Sequence, residues 1–195
     1  MRHLFIFFII TFFVIILVSC GRTAEQPVII EQFQESSDIL IAYFSHTGNT
    51  RSVAVYLQSF VGGDLFEIVA AEPYPTAFDA CLSRARTELE NRILPELEFY
   101  LDYLEDYSTV FIGFPVWLSS APMIVLSFLE SHDFSGVTVI PFTTRGRGEI
   151  GQSVDMIRNV LPDSDVLEGF HGINRENFDR AFSLVKEWVH NNVIE

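Results

Sequence analysis

From residue 38 onward the chain alternates between short apolar runs and longer segments whose apolar residues recur at helical spacing. The apolar runs predict five strands, at residues 38–44, 64–69, 109–114, 137–142 and 165–168. Runs that stay apolar on both faces are typical of strands covered by helices on both sides. The alternation therefore predicts an α/β fold with a doubly wound parallel sheet and helices on both of its faces.

Five helices are predicted to follow these strands, at residues 49–61, 76–93, 121–130, 150–160 and 174–189. The spacing within the last one brings four apolar residues onto one face: Phe178, Phe182, Val185 and Val189. In a sheet of this kind, ligands bind beyond the carboxyl ends of the strands. The loops after the first, third and fourth strands are therefore the candidate site.

The first 19 residues are predicted to be an export signal. Arg2 precedes an apolar run at residues 4–18, which as a helix would be about 22 Å long and so shorter than the roughly 30 Å core of a bilayer. The sequence Leu17-Val18-Ser19-Cys20 resembles the lipobox of bacterial lipoproteins. This resemblance implies cleavage before Cys20 and a diacylglycerol on its sulfur, and an uncleaved N-terminal anchor is the alternative.

The rest of the chain is then divided into a tether at residues 20–37 and a folded domain at 38–195. We expect the domain to be held by lipid at a bacterial cell envelope, outside the cytoplasm, with no other membrane contact. Cys81 is the only other cysteine, so the sequence predicts neither an internal disulfide nor a thiolate metal site. It also offers no metal-ligand constellation, and neither His46 nor His171 has a carboxylate at a spacing typical of an acid–base pair.

The formal net charge of the chain is −14 at pH 7. Such an excess of negative charge repels the phosphates of nucleic acid, so we expect no nucleic-acid partner. A basic redox partner protein is favoured instead. The side chains that would steer it lie in one acidic run, for which a solvated helix face is the alternative: Glu96, Glu98, Asp102, Glu105 and Asp106.

The loop after the first strand, called the first loop here, has the residues of a phosphate site: Ser45, His46, Thr47, Gly48, Asn49 and Thr50. Backbone N–H groups and the positive end of the following helix dipole face such a loop, and hydroxyls add donors. It contains no Lys, which argues against a nucleotide-hydrolysing P-loop. A single phosphate monoester suits it better, and this indicates a ligand such as FMN. An ordinary turn capped by Asn49 or Thr50 would explain only one of these residues.

The second loop spans residues 113–122 and includes Pro115, Val116, Trp117 and Leu118. An indole placed there offers a flat face to a planar ring, and ring stacking contributes about 0.5–1.5 kcal/mol beyond the buried area. Taken alone, Trp117 would more often be a core residue. Its position one loop away from a phosphate site favours a role in binding.

The third loop spans residues 143–151 and includes Thr143, Thr144, Gly146 and Gly148. A turn that contains glycine lets the backbone approach the edge of a ligand. With Gly151, these glycines also match the dinucleotide pattern G-x-G-x-x-G. The remaining chain is too short for the rest of such a domain, so this match is discounted.

Together these loops resemble those of the short-chain flavodoxins. The resemblance covers the chain from about residue 38 to its end and rests on residues 45–50 and 113–117, with 64–68 and 71–74 as a second unit. It implies a 2-1-3-4-5 sheet, noncovalently bound FMN and electron transfer without bond-making catalysis. An FMN-dependent NAD(P)H:quinone-type oxidoreductase of the same fold, or a binding module without flavin, are the alternatives.

The resemblance also implies roles for individual residues. The first loop would hold the phosphate, Trp117 would stack on the isoalloxazine, and Thr143, Thr144, Gly146 and Gly148 would line the far side of the ring. The third loop departs from the family pattern, because relatives usually have small residues at three of its positions: Arg145, Arg147 and Glu149. Either the ring is more open on that side, or Tyr74 covers it.

Overall fold

The computed structural model describes residues 38–146 and 150–193. Within them the strands are β1 (Ile39–Tyr43), β2 (Asp64–Glu67), β3 (Thr109–Pro115), β4 (Thr138–Arg145), β5 (Asp165–Val166) and β6 (Phe170–Asn174). The helices are α1 (Asn49–Val61), α2 (Phe78–Asn91), α3 (Met123–Glu130), α4 (Ser153–Val160) and α5 (Ala181–Asn192). The predicted signal peptide, the tether, Cys20 and Gly148 lie outside the described residues.

All strands are parallel, in the order β2-β1-β3-β4-β5, and β6 also pairs with β4. This confirms the predicted doubly wound sheet and its 2-1-3-4-5 order. In the register, Tyr43 pairs with Gly113, and Pro115 pairs with Thr144. The carboxyl ends of β1, β3 and β4 therefore meet at one edge, where the three candidate loops begin.

Side chains alternate between the two faces of the sheet, and each face has its own core. On one face, Ile41, Phe111 and Phe142 pack with apolar residues of α1 and α5. On the other face, Leu40, Ile112 and Phe114 pack with α2, α3 and α4. Both faces of the central strands are buried, which explains why β3 is apolar after Thr109.

The fifth strand differs from the prediction of a strand at residues 165–168. It is interrupted after Val166 and resumes as β6, which continues beside β4 after a register shift. Gly169 lies in the interruption at φ +75°, and a Cβ atom there would meet the Pro141 carbonyl oxygen at 1.9 Å. Only glycine fits this close approach. Consequently His171, which lies beyond the predicted strand at residues 165–168, is within β6.

The last helix begins at Ala181 and not at residue 174, after a short 3-10 turn at Phe178–Arg180. Val185 and Val189 are buried as the spacing predicts, but Phe182 is half exposed and contacts the rings of Tyr56 and Phe60 on α1. Asn174 is the last residue of β6, and residues 175–177 form a turn in place of the first helical turn. No helix in the described part of the chain is long and apolar enough to cross a membrane.

Candidate functional site

A cavity of about 700 Å³ opens at the carboxyl edge of the sheet. Residues of all three predicted loops line it. They are His46, Thr47, Asn49 and Thr50 from the first loop, Pro115, Val116, Trp117, Leu118 and Ser119 from the second, and Thr144, Arg145 and Gly146 from the third. The structure therefore brings the three segments singled out in the sequence to one site.

Of the predicted site residues that the structure describes, three are not among those that line the cavity. The Ser45 hydroxyl accepts a hydrogen bond from the Arg51 backbone N–H at 3.2 Å. Gly48 is the N-cap of α1, at φ +87°. Thr143 is fully buried, and its hydroxyl lies 3.0 Å from Nδ1 of His171. These residues make their contacts within the loops and the sheet.

The N-terminus of α1 is suited to an anion. The left-handed conformation of Gly48 lets its carbonyl accept hydrogen bonds from both the backbone N–H and the hydroxyl of Ser52, at 3.0 and 3.1 Å. The N-cap residue Gly48 has no side chain to cap the helix, the Ser45 hydroxyl accepts from the Arg51 N–H, and the first turn contains no carboxylate. The positive end of the helix dipole is therefore left for a ligand.

A hydrogen bond joins the first loop to the third. The hydroxyls of Thr50 and Thr144 lie 2.8 Å apart, and both side chains are buried. Because side chains alternate along β4, Thr144 faces α1 whereas Thr143 faces away from it. This alternation explains why only one of the two adjacent threonines lines the cavity.

The second loop turns sharply after Trp117. Trp117 and Ser120 exchange two backbone hydrogen bonds, at 3.0 and 2.9 Å, and both residues between them have positive φ: Leu118 at 52° and Ser119 at 56°. The Ser119 carbonyl accepts a hydrogen bond from the Gln152 N–H at 3.0 Å. A Cβ atom on Gly151 would meet that carbonyl oxygen at 2.3 Å. The second loop is thus held against the end of the third loop, at Gly151 and the next residue, Gln152.

The indole of Trp117 is fixed by edge-to-face ring contacts. Its ring centroid lies 5.3 Å from that of Phe44, 5.1 Å from that of Tyr74 and 5.7 Å from that of His46. Such tilted pairs stabilise aromatic clusters. Tyr74 is buried in this cluster and does not line the cavity, so it is not a second wall opposite Trp117.

A buried ion pair holds Tyr74 in place. Its hydroxyl donates to Oε2 of Glu88 at 2.7 Å, and Nε of Arg84 donates to Oε1 of the same carboxylate at 2.7 Å. The Arg84 guanidinium also lies 4.2 Å from the centroid of the Tyr74 ring. Burial, followed by the hydrogen bond to Glu88, raises the pKa of Tyr74 far above its usual value. The phenol therefore remains a donor at neutral pH.

His171 has a structural role in this arrangement. Its Nε2 lies 2.6 Å from the Glu168 carbonyl oxygen, and its Nδ1 faces the Thr143 hydroxyl. Burial is the main cause that lowers the pKa of His171. A neutral ring that donates from Nε2 and accepts at Nδ1 satisfies both partners. No group of side chains suited to a metal ion occurs among residues 38–146 and 150–193.

Two segments of the cavity wall were not singled out in the sequence. One is the start of α2, with Phe78 and Leu82, and the other comprises the end of β6 and the residues just after it. The residues of the second segment that line the cavity are Ile173, Asn174, Arg175 and Phe178. The rule that ligands bind beyond the carboxyl ends of strands would have pointed to it, but β6 lacks a continuous apolar run and was not predicted.

Comparisons with known proteins agree with this fold. The family profile described as flavodoxin matches residues 38–192. A candidate flavoprotein from Bacteroides eggerthii is 33% identical, with a TM-score of 0.69, over 80% of this chain and 98% of that one. A similar protein from Bacteroides uniformis is 34% identical, with a TM-score of 0.68, over 80% of this chain and 99% of that one.

A more distant flavoprotein from Lactobacillus acidophilus, solved in complex with FMN, is 22% identical, with a TM-score of 0.58, over 77% of this chain and 97% of that one. At that identity the likeness concerns the fold alone. No curated protein matches the chain. The family profile spans almost the whole described domain, and the Bacteroides proteins are covered over nearly their full length. The chain therefore belongs to the flavodoxin family.

Proposed function

We propose that this flavodoxin binds FMN noncovalently and transfers electrons between partner proteins. The observation that carries the proposal is the meeting, in one cavity, of the N-terminus of α1, whose first turn contains no carboxylate, and the fixed indole of Trp117. The volume of about 700 Å³ lies within the range of small-molecule sites. The FMN complex of the Lactobacillus acidophilus relative supports the same ligand.

The cavity residues fit the two ends of FMN. Thr47, Asn49 and Thr50 would hold the phosphate at the start of α1, where backbone donors cost no side-chain entropy. Trp117 would contact the isoalloxazine, with Thr144 and Gly146 on the third loop. Thr143 is left out of this assignment because it is buried against His171. When bound, FMN supplies the redox chemistry, and the protein positions its ring and excludes water from it.

Uptake of FMN by the full-length protein tests this assignment. We expect flavin absorption to remain with the protein after gel filtration. Thr47→Val should weaken FMN binding about tenfold, because it removes a hydroxyl donor to a charged phosphate. Titration of flavin fluorescence gives the dissociation constants.

Thr87→Val is the matched control for this titration. Thr87 is exposed on α2, and its hydroxyl donates only to the Ser83 carbonyl at 3.1 Å. This variant should bind FMN as the unmodified protein does. A colourless protein that takes up no FMN would instead establish a binding module without flavin.

Electron transfer without a substrate reaction is the second part of the proposal. It is supported by the family to which the chain belongs. Rapid mixing of the FMN-loaded protein with NAD(P)H separates a carrier from an oxidoreductase. Fast oxidation of NAD(P)H by the protein alone would contradict the carrier role.

We further propose that a lipid on Cys20 tethers the domain to the cell envelope, and that its partner is a basic redox protein. The lipobox-like sequence and the net charge of −14 support these two points. Cys20→Ser should release the protein from the membrane fraction of cells that make the full chain. Membrane retention of that variant equal to that of the unmodified chain would contradict a lipid anchor.

A further inference from the structure

Arg175 lies on the side of the cavity where α1 begins. It follows β6 by one residue, and β6 pairs Ile173 with Thr144 of β4. The Thr144 hydroxyl lies 2.8 Å from that of Thr50 in the first turn of α1. Ile173 belongs to the core between the sheet and the helices α1 and α5. Arg175, in the turn that follows β6, lines the same cavity as Thr50 and Thr144.

The turn that carries Arg175 is held rigidly by two asparagines. Oδ1 of Asn174 accepts hydrogen bonds from the N–H groups of Glu176 and Asn177, at 2.9 and 3.2 Å. In return, Oδ1 of Asn177 accepts from the Asn174 N–H at 2.8 Å, and its Nδ2 donates to the Gly172 carbonyl at 2.8 Å. The backbone at Arg175 is therefore fixed before any ligand arrives.

The first loop has no cation of its own to offer an anion. Its nearest basic residue, Arg51, forms an ion pair with Glu67, at the end of β2. Arg145, which also lines the cavity, follows Thr144 in β4 and so faces away from α1. Arg175 lines the cavity and forms no ion pair with the described residues. It is thus the cation placed to reach a group bound at the start of α1.

We propose that the guanidinium of Arg175 binds the phosphate of FMN and makes the site select phosphorylated flavin over riboflavin. This inference rests on the proposed function. A phosphate monoester carries about −1.5 to −2 charges at pH 7, and a guanidinium can donate to two of its oxygens at once. Backbone donors alone would leave most of that charge without a counter-charge.

The test compares the dissociation constants of FMN and riboflavin for the full-length protein and two variants. Arg175→Gln should weaken FMN binding about tenfold and change riboflavin binding less than twofold. Added salt should weaken FMN binding by the unmodified protein more than by this variant. Arg180→Gln is the matched control, since Arg180 is exposed five residues later and does not line the cavity.

Each outcome of this test decides the proposal. Selective loss of FMN binding in Arg175→Gln, with Arg180→Gln unchanged, supports it. Equal weakening of both flavins, or an equal effect of the control, overturns the role of Arg175 while FMN binding stands. An unmodified protein that binds neither flavin overturns the proposed function as well.

Discussion

Arg84→Met is expected to lower the free energy of unfolding by about 3–5 kcal/mol, because it leaves the buried Glu88 carboxylate without its counter-charge. Glu88 is only 5% exposed. Arg84 also donates to the carbonyls of Glu72 and Pro73, at 3.0 and 3.1 Å, so the segment before α2 loses two further hydrogen bonds. Urea denaturation followed by circular dichroism measures the loss.

Two further variants show whether the unpaired charge is the cause. Arg86→Met removes an exposed arginine from the same helix and should change stability by less than about 0.5 kcal/mol. The double variant Arg84→Met/Glu88→Gln should recover most of the loss, because a neutral amide needs no counter-charge and can still accept from Tyr74. A double variant as unstable as the single one would contradict the explanation.

Gly113→Ala is expected to cost about 2–3 kcal/mol of stability by overpacking the centre of the sheet. Gly113 pairs directly with Phe142, and a Cβ atom at Gly113 would lie 2.1 Å from Cζ of that ring. Phe142 is 1% exposed within the core under α1 and α5, so its ring has no free space to move into. Thermal or urea unfolding measures the effect.

A compensating variant tests the steric cause of this loss. Phe142→Leu shortens the side chain that the new methyl group would strike, so the double variant should be more stable than the sum of the two single losses predicts. Gly146→Ala is the control, because a Cβ atom there would meet nothing within 4 Å. Additive losses in the double variant would exclude a direct clash between residues 113 and 142.

The doubly wound parallel sheet could be predicted because its central strands are buried on both faces, whereas its 2-1-3-4-5 order was implied by the resemblance to the flavodoxins. Residues 39–43 and 109–115 are apolar almost throughout. In a chain that alternates between apolar runs and helical segments, such runs are typical of buried parallel strands. The strand β6 could not be predicted in the same way. It contains His171, Gly172 and Asn174, and its position depends on the close approach of Gly169 to Pro141, which is a tertiary contact.

The site was predictable to the level of loops and not of individual side chains. The rule that ligands bind beyond the carboxyl ends of the strands brought the first, second and third loops together, and the structure places residues of each along one cavity. This rule does not tell which of Thr143 and Thr144 faces the cavity, because that depends on which face of the sheet each side chain of β4 points to. Arg175 was missed for a related reason, since its position follows from the pairing of β6 with β4.

The contact between Ser119 and Gly151 also limits how this cavity can change. The Ser119 carbonyl accepts from the Gln152 N–H and leaves no space for a side chain at Gly151. A change in the turn at Ser119 therefore requires a matching change in the segment around Gly151. A chimera that takes residues 115–120 from a relative with a different turn would need that relative's residues 146–152 as well. Differences in ligand preference among homologues should therefore involve changes in residues 115–120 and in residues 146–152 together.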